Sequence, residues 1–288
     1  MAIYLSFGFD DERPFGQLAK TDKGAEFRKK KMAFLKRFMD TFDTEEIPRT
    51  LFILGDYLNN CQLDVAPGEL EDIYLRPLND IAQHSYSHGM IKRIEGYATD
   101  RPIMTPADFL ADVKKANDVL QAILDVKPSG LRIPLGYDND LSDIPEIVQE
   151  LKELGFSYVS SDLRASDSFN APLTASRQPH CYTNIGCPGV AELPSHGWQD
   201  VVFTQEKSQA LLGRTPPAPK EIIEHFVGLF DRARQLELPD VYISLCLHPW
   251  AVMDYDPNLE ILLTVARTAR EQQIEIITYS DVAKKIIS

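Results

Sequence analysis

The sequence predicts a single α/β domain built as a (β/α) barrel, and three observations carry that expectation. Short apolar runs alternate with amphipathic stretches about eight times, as parallel strands and crossover helices do. No repeat and no linker interrupts them across residues 1–288. Polar side chains follow many different strand-like runs, which is how the mouth of a barrel is furnished. An open doubly wound sheet is the rival, but its Gly-rich phosphate fingerprint is missing: Phe7-Gly8-Phe9 is not G-x-G-x-x-G.

In order, Ile3 to Phe9 is a continuous apolar and aromatic run, read as a buried strand that ends in Asp10, Asp11 and Glu12. Ala25 to Phe42 is helical: Phe27, Met32, Phe34, Leu35, Phe38 and Met39 make an apolar face opposite a basic, solvated one. Thr50 to Leu54 is a second strand, closed by Gly55, and a short helix is expected near Leu70 to Leu78. Asp80 to Gln83 is a strand leading into His84. Glu95 to Met104 reads as a loop. Thr105 caps a helix with Pro106 at its first position, which runs to about Val126. Gly130 to Ile133 is a strand, Ser142 caps the next helix, Gly155 ends it, and Phe156 to Ser160 is a strand. Leu163 to Gly189 is a long polar segment of the kind that covers active sites. Val190 to Leu193 and Val241 to Leu247 are strands, with a helix from about Lys220 to Leu236 between them. Pro257 opens a helix to Gln272, Ile274 to Thr278 is the last strand, and Ser280 caps the terminal helix.

Composition narrows the function. Of the residues, 44% are hydrophobic and 25% charged, ordinary for a globular protein. The formal net charge of −13 argues against nucleic acid or an anionic membrane face as a partner. No run of about 18 apolar residues predicts a membrane span. The start, MAIYLSFGFD, is strand-like and is not a signal peptide. Cys61, Cys181, Cys187 and Cys246 show no C-x-x-C spacing, so reduced thiols in the cytoplasm are expected.

The chemistry centres on Gln83 to Gly89, QHSYSHG. His84 and His88 stand four apart, and a helical turn would put both imidazoles on one face as ligands for a borderline metal such as zinc. A polar loop with two accidental histidines is the bland alternative. What favours a site is that carboxylates, Arg132 and His248 each follow a strand.

Taken in order, these segments resemble the polysaccharide deacetylase family of metal-dependent amidases. Gly8-Phe9-Asp10-Asp11 is similar to its T-F-D-D motif, and His84-Ser85-Tyr86-Ser87-His88 to its H-[ST]-x-x-H motif. Arg132-Ile133-Pro134-Leu135-Gly136 is similar to R-x-P-x-G, and the L-x-H motif falls near His248. The resemblance implies a distorted (β/α) barrel of roughly seven or eight strands. It implies that Asp11, His84 and His88 hold a divalent metal, Zn²⁺ foremost, and that Asp10 is the general base held by Arg132. It gives the Leu135 N–H to the oxyanion, and makes His248 the general acid with Asp162 orienting it. Glu12 stands where the family motif has glycine, so a D-x-D-like spacing makes Glu12 the alternative metal ligand. Cys246 replaces the leucine of L-x-H. Trp198 and Trp250 are either walls for the substrate or ordinary core.

The function implied is a metal-dependent hydrolase of a non-peptide C–N bond. The G-F-D start, Glu192-Leu193-Pro194 and Leu247-His248-Pro249 resemble the branch with allantoinase-like and cyclic imide hydrolases. A small soluble substrate, cyclic amide or ureide, is therefore expected ahead of an N-acetyl sugar, and a polymer last. A non-catalytic metal- or carbohydrate-binding relative is the other class, but it would be expected to lose the base or the acid. The partners expected are a small molecule or carbohydrate and, at most, further copies of the chain in a homo-oligomer.

Overall fold

The computed structural model describes residues 1–94, 100–165 and 169–288. In chain order its strands are β1 (Ala2–Asp11), β2 (Arg49–Ile53), β3 (Asn79–Gln83), β4 (Gly130–Tyr137), β5 (Tyr158–Asp162) and β6 (Asn170–Ala171). There follow β7 (His180–Tyr182), β8 (Cys187–Glu192), β9 (Gly197–Trp198), β10 (Asp240–Leu247) and β11 (Glu275–Ile276). One sheet runs β10-β1-β2-β3-β4-β5-β8-β7, with β11 added to β1. Every pairing in it is parallel except β7 with β8. Strands β6 and β9 form a separate antiparallel ribbon.

Parallel neighbours need crossovers, and the helices supply them. Asp22–Thr44 joins β1 to β2, Pro106–Leu124 joins β3 to β4, and Pro145–Glu153 joins β4 to β5. Their apolar faces cover the outside of the sheet: Phe9 of β1 meets Phe38 edge-to-face at 4.9 Å. The inner face carries its own cluster, with Tyr4, Phe52, Tyr158, Leu193, Tyr242 and Tyr279 buried together. Strand residues therefore alternate between a helix-covered side and an enclosed interior.

The sheet does not close as a barrel: among the described residues no ladder joins β8 to β10. Side chains bridge that seam instead. The His196 N–H donates to the Ser244 carbonyl at 2.7 Å, and the Ser244 N–H donates to His196 Nδ1 at 3.1 Å. The Tyr242 N–H donates to Gln178 Oε1 at 2.8 Å, and Gln178 Nε2 donates to the Tyr242 carbonyl at 3.3 Å. Two side chains thus take the place of a missing strand along β10, whose buried peptide groups need partners. His196 can accept because its other nitrogen, Nε2, donates to the Arg177 carbonyl at 2.7 Å. Burial depresses its pKa to about 4 and keeps the ring neutral.

Most expected elements form, with shifts at their ends. Thr105 caps its helix, accepting from the Asp108 N–H. Gly55 opens a helix, Gly55–Cys61, rather than ending a strand. Thr278, not Ser280, caps the terminal helix, because Thr278 Oγ1 accepts from the Asp281 N–H. Ser142 caps nothing; the Pro145–Glu153 helix starts after Ile144 with no side-chain cap. The helix expected from Pro257 starts three residues later, as Glu260–Glu271, and a further short helix, Pro249–Tyr255, follows β10 directly. Part of the 95–104 loop, residues 95–99, lies outside the described residues. The 163–189 segment holds β6, β7 and a short helical turn.

The seam makes stability depend on pH. An unfolded histidine titrates near ~6.5, whereas His196 stays neutral down to about 4. Between those values the unfolded chain binds the proton and the folded one does not, so stability falls as pH falls through that window. Replacing His196 by Phe removes the acceptor of the Ser244 N–H and should cost about 1–3 kcal/mol at neutral pH. It should also remove part of the acid-side decline. Urea unfolding of both proteins at several pH values checks this; parallel curves would rule the role out.

Candidate active site

The end of β1 builds the site by parity. Successive strand side chains face opposite sides, so Asp10 and Asp11 cannot share a cavity. Asp10 and Glu12 both turn into one pocket at the strand end. Asp11 turns the other way, under the helices, where Lys31 Nζ lies 2.7 Å from Oδ1 and the Tyr74 hydroxyl donates to Oδ2 at 2.5 Å. Asp11 is fully buried there, and the structure corrects its expected place at the metal. The carboxylate beside the histidines is Glu12: its Oε2 lies 2.7 Å from His88 Nε2 and 3.7 Å from His84 Nε2.

The two histidines converge, but not through a helix. Residues 84–89 form an irregular loop with Ser85 at φ +62° and His88 at φ +61°. Side chains are rarely held in that left-handed region without outside support. Here Asp112 Oδ2 accepts from the Tyr86 and Ser87 N–H groups at 2.9 and 3.0 Å. The Gly55 and Asp56 N–H groups donate to the Ser85 and Tyr86 carbonyls, both at 2.9 Å. His84 Nδ1–H donates to the Arg132 carbonyl at 2.9 Å, which leaves Nε2 with its lone pair toward the pocket.

Arg132 lies behind Asp10. It is fully buried and donates from one terminal nitrogen to Asp10 Oδ1 at 2.6 Å and from the other to the Tyr279 hydroxyl at 2.5 Å. Its guanidinium sits 4.0 Å from the Phe52 ring centre. Burial works against its charge, but Asp10 outweighs burial and raises its pKa. Across the pocket, His248 Nε2 is 3.8 Å from Asp10 Oδ2. The group that orients His248 is Asp200, with Oδ1 at 2.6 Å from His248 Nδ1 and Oδ2 accepting the His248 backbone N–H at 2.8 Å. Burial alone would lower the His248 pKa; Asp200, then Asp10 and Glu12, raise it above the ordinary histidine value.

Asp162 is therefore corrected too: it pairs with Arg177, with contacts of 2.6 and 2.8 Å, away from His248. Trp198 is no pocket wall; it stacks on His225 at 3.9 Å between ring centres. Trp250 does line the pocket and donates from Nε1 to Glu12 Oε1 at 3.3 Å. Leu135 lines it as well, in a left-handed conformation with φ +67° where β4 loses register with β5. Cys246 stands beside Asp10, Sγ to Oδ2 3.7 Å, with its thiol pKa pushed well up by burial and then by the Asp10 charge. Asp200 and Tyr279 had no motif to mark them: each is an isolated residue on a segment whose fold position, not its neighbours, brings it to the site.

The donor set fits a cation. Glu12, His84 and His88 each present one ligand atom within 4.8 Å of one another, all buried. Glu12 Oε2 is buried and accepts no aligned hydrogen bond, although His88 Nε2 is close. Burial raises the Glu12 carboxyl, yet the His88 charge and the hydrogen bonds of both histidines outweigh it and hold its pKa well below the usual range. Burial lowers His88. A metal bound here would require Glu12 ionised and the ring nitrogens that face it unprotonated.

The polysaccharide deacetylase family model matches residues 21–159. The match covers a little under half of the chain and supports the polysaccharide deacetylase family for that part. The matched span contains His84, His88 and Arg132 but ends before His248 and starts after the acids of β1. No curated protein sequence matches significantly. Among solved structures, a Mycobacterium smegmatis protein assigned as a polysaccharide deacetylase superposes at TM-score 0.67 with 18% identity, over 99% of this chain and 90% of that one. Puue allantoinase superposes at 0.64 with 15% identity, over 98% and 89%. A Bacillus anthracis pseudoenzyme of the CE4 family reaches 0.51 with 11% identity, over 100% and 66%. At these identities the likeness is one of fold. The chain is thus a polysaccharide deacetylase-family hydrolase on a mostly parallel α/β sheet.

Metal content separates the acids. Glu12→Gln should lose most bound divalent metal, and Asp11→Asn should retain it per folded chain. Inductively coupled plasma analysis of both purified variants decides the matter; a loss confined to Asp11→Asn would restore the T-F-D-D assignment.

Proposed function

We propose that the chain hydrolyses a C–N bond other than a peptide bond, using a divalent metal, most simply Zn²⁺, held by Glu12, His84 and His88. The observation that carries this reading is the opposed pair in one pocket: Asp10, backed by Arg132, and His248, backed by Asp200, with Nε2 and Oδ2 3.8 Å apart. A carboxylate and an imidazole that face one another in a pocket, each fastened by its own buried partner, is a usual arrangement for general base and general acid. When bound, the metal supplies a Lewis acid that polarises the scissile carbonyl.

The chain's own groups do the rest. Asp10, its Oδ1 held by Arg132, takes the proton of the attacking water at Oδ2. The Leu135 N–H, presented by the irregular end of β4, donates to the developing oxyanion. His248 Nε2 hands a proton to the departing nitrogen, and Asp200 keeps the imidazole oriented and protonated. The catalytic acid needs its proton, so activity is present below the His248 pKa and lost as pH rises through it.

The substrate proposed is small and soluble, a cyclic amide or ureide ahead of an N-acetyl sugar, with a polymer last. Support comes from the pocket walls: Leu163, Phe169, Gln199, Val201 and Leu211 line the same cavity as Asp10 and His248, which suits a compact molecule. The allantoinase fold neighbour, spanning nearly the whole chain, agrees. The family domain is taken to cover 1–288. A cytoplasmic setting is proposed as well, supported by four cysteines that are all free; no described helix is long and apolar enough to cross a membrane.

Asp10→Asn should keep its metal and lose activity by ~10²-fold or more. Unchanged turnover in that metal-replete variant would remove Asp10 as the base. Asp200→Asn should lower kcat and move the alkaline limb of the kcat–pH profile to lower pH, since the largest support for the His248 charge is gone. A limb that stays in place would give Asp200 a merely structural role. Substrate class is read from kcat/KM on N-acetylglucosamine, its tetramer, allantoin and a five-membered imide. Rates that climb from monomer to tetramer with no turnover of the rings would overturn the small-substrate proposal.

A further inference from the structure

The pocket's charge is opposite to that of the molecule. The chain has 43 acidic and 30 basic residues. Yet the pocket is lined by Arg13, Arg101, Arg164 and Lys207, and by only two acids among the described residues, Asp10 and Glu12. Those acids have partners of their own: Asp10 has Arg132, and Glu12 has His84 and His88, with Arg13 Nε also 3.6 Å from Glu12 Oε1. Even without Arg164, the described lining sets Arg13, Arg101 and Lys207 against these two acids, and a bound divalent cation would add to the positive side. Gathering like charges around a low-dielectric cleft is unfavourable in the free protein and becomes favourable when an anion enters.

Resting on the hydrolase reading, we propose that the substrate carries an anionic group, a carboxylate or phosphate, seated on this basic rim while its amide lies at Asp10 and His248. Two of the four cations also have structural work. The Arg13 guanidinium carbon sits over Trp250, 4.3 Å from the ring centre, and Arg164 donates from Nε to the Leu135 carbonyl at 3.0 Å. Those contacts hold both guanidinium planes within the pocket wall, and planar guanidinium groups match carboxylate or phosphate oxygens. Arg101 stands over His88, NH1 to Nδ1 3.5 Å, on the far side of the metal ligands. Lys207 is the third residue of the Gln205–Leu212 helix and contacts Glu206 at 2.8 Å; the Glu206 side chain is 79% exposed, so water screens that pair. The rim and the catalytic pair share one pocket, so the anion and the scissile bond belong to one small molecule. A neutral acetylated sugar would leave this charge unused.

The test reads binding without turnover. Calorimetry on the metal-loaded protein compares N-acetylglycine, N-acetylaminomethylphosphonate and the neutral N-acetylglycinamide. One anion should bind at least about tenfold tighter than the amide, the scale of a charge-assisted contact; the tighter one identifies carboxylate or phosphate. Lys207→Ala should cancel most of that preference with metal content unchanged, Lys207→Arg should restore it, and added salt should weaken it. Arg101→Ala, with its metal content verified, should reduce the preference as well. Equal affinities for the three ligands, or an anion preference that survives both alanine variants and so comes from the metal alone, would overturn the proposal. The two readings fail separately. Anion preference with no hydrolysis of any amide, ring or linear, would keep the basic rim and sink the hydrolase; hydrolysis with no anion preference would do the reverse.

Discussion

A guanidinium buried inside a sheet has to be neutralised where it sits, because its desolvation is otherwise prohibitive. Arg132 is in that position: it has no exposure to solvent, and it spans from Asp10 on β1 to Tyr279 at the start of the last helix. A weaker contact of 3.4 Å reaches Ser160 of β5. One side chain of β4 therefore ties together strands far apart in sequence and the C-terminal helix. Gly8 makes room for it: a Cβ there would lie 2.6 Å from the guanidinium and 2.7 Å from the Tyr279 ring. Removing either Arg132 or Asp10 would leave the other as an uncompensated buried charge, at about 3–5 kcal/mol. The group that poises the base is thus also a structural requirement of the interior, and the two roles cannot be mutated apart at Arg132.

His248 shows the same logic on the other side of the pocket. Asp200 is wholly buried and is held by both the ring and the backbone N–H of His248. Burial raises the Asp200 pKa, against the pull of His248. A short helix, Pro249–Tyr255, follows His248 directly and brings Trp250 back toward Glu12. Asp10 and Glu12 at the end of β1, the histidines after β3 and His248 after β10 thus meet in one pocket, and Asp10 and His248 are each fastened by a partner buried with them.

What the sequence made legible follows from periodicity and local spacing. The buried strands β1, β2 and β10 read as apolar runs, and the helices read from their apolar faces. His84, His88, Arg132 and His248 read from ordered motifs that the fold brings into one region. Asp11, Asp162 and Trp198 are given places by the resemblance that the tertiary fold does not give them. Asp11 follows Asp10 but points through the sheet to Lys31. Asp162 ends a strand in the right place but is claimed by Arg177. Trp198 is close to Asp200 in sequence, yet it stacks on His225. The Asp11 error was avoidable, since alternation alone puts Asp10 and Glu12 on one side and Asp11 on the other. The Asp162 error was not, because nothing near Asp200 marks it as the partner of His248 and only the tertiary fold sets the two together. The missing ladder between β8 and β10 was likewise beyond periodicity: side-chain amide and imidazole groups do the work of a strand there.

Asp11 remains bound to the chemistry by a different route. Lys31, fully buried, meets Asp11 on one side and donates to the backbone carbonyls of Glu12 and of Arg13, the latter at 3.0 Å. Its ammonium also sits over Tyr57, 3.5 Å from the ring centre. Burial lowers the Lys31 pKa even with Asp11 beside it, so its charge depends on that carboxylate. The outward pair therefore clamps the backbone where it leaves β1, at the residue whose side chain meets the histidines and at the next one, whose guanidinium lines the rim. Adjacent acids on one strand serve opposite faces: Asp10 acts within the pocket, and Asp11 holds from behind the segment that carries Glu12.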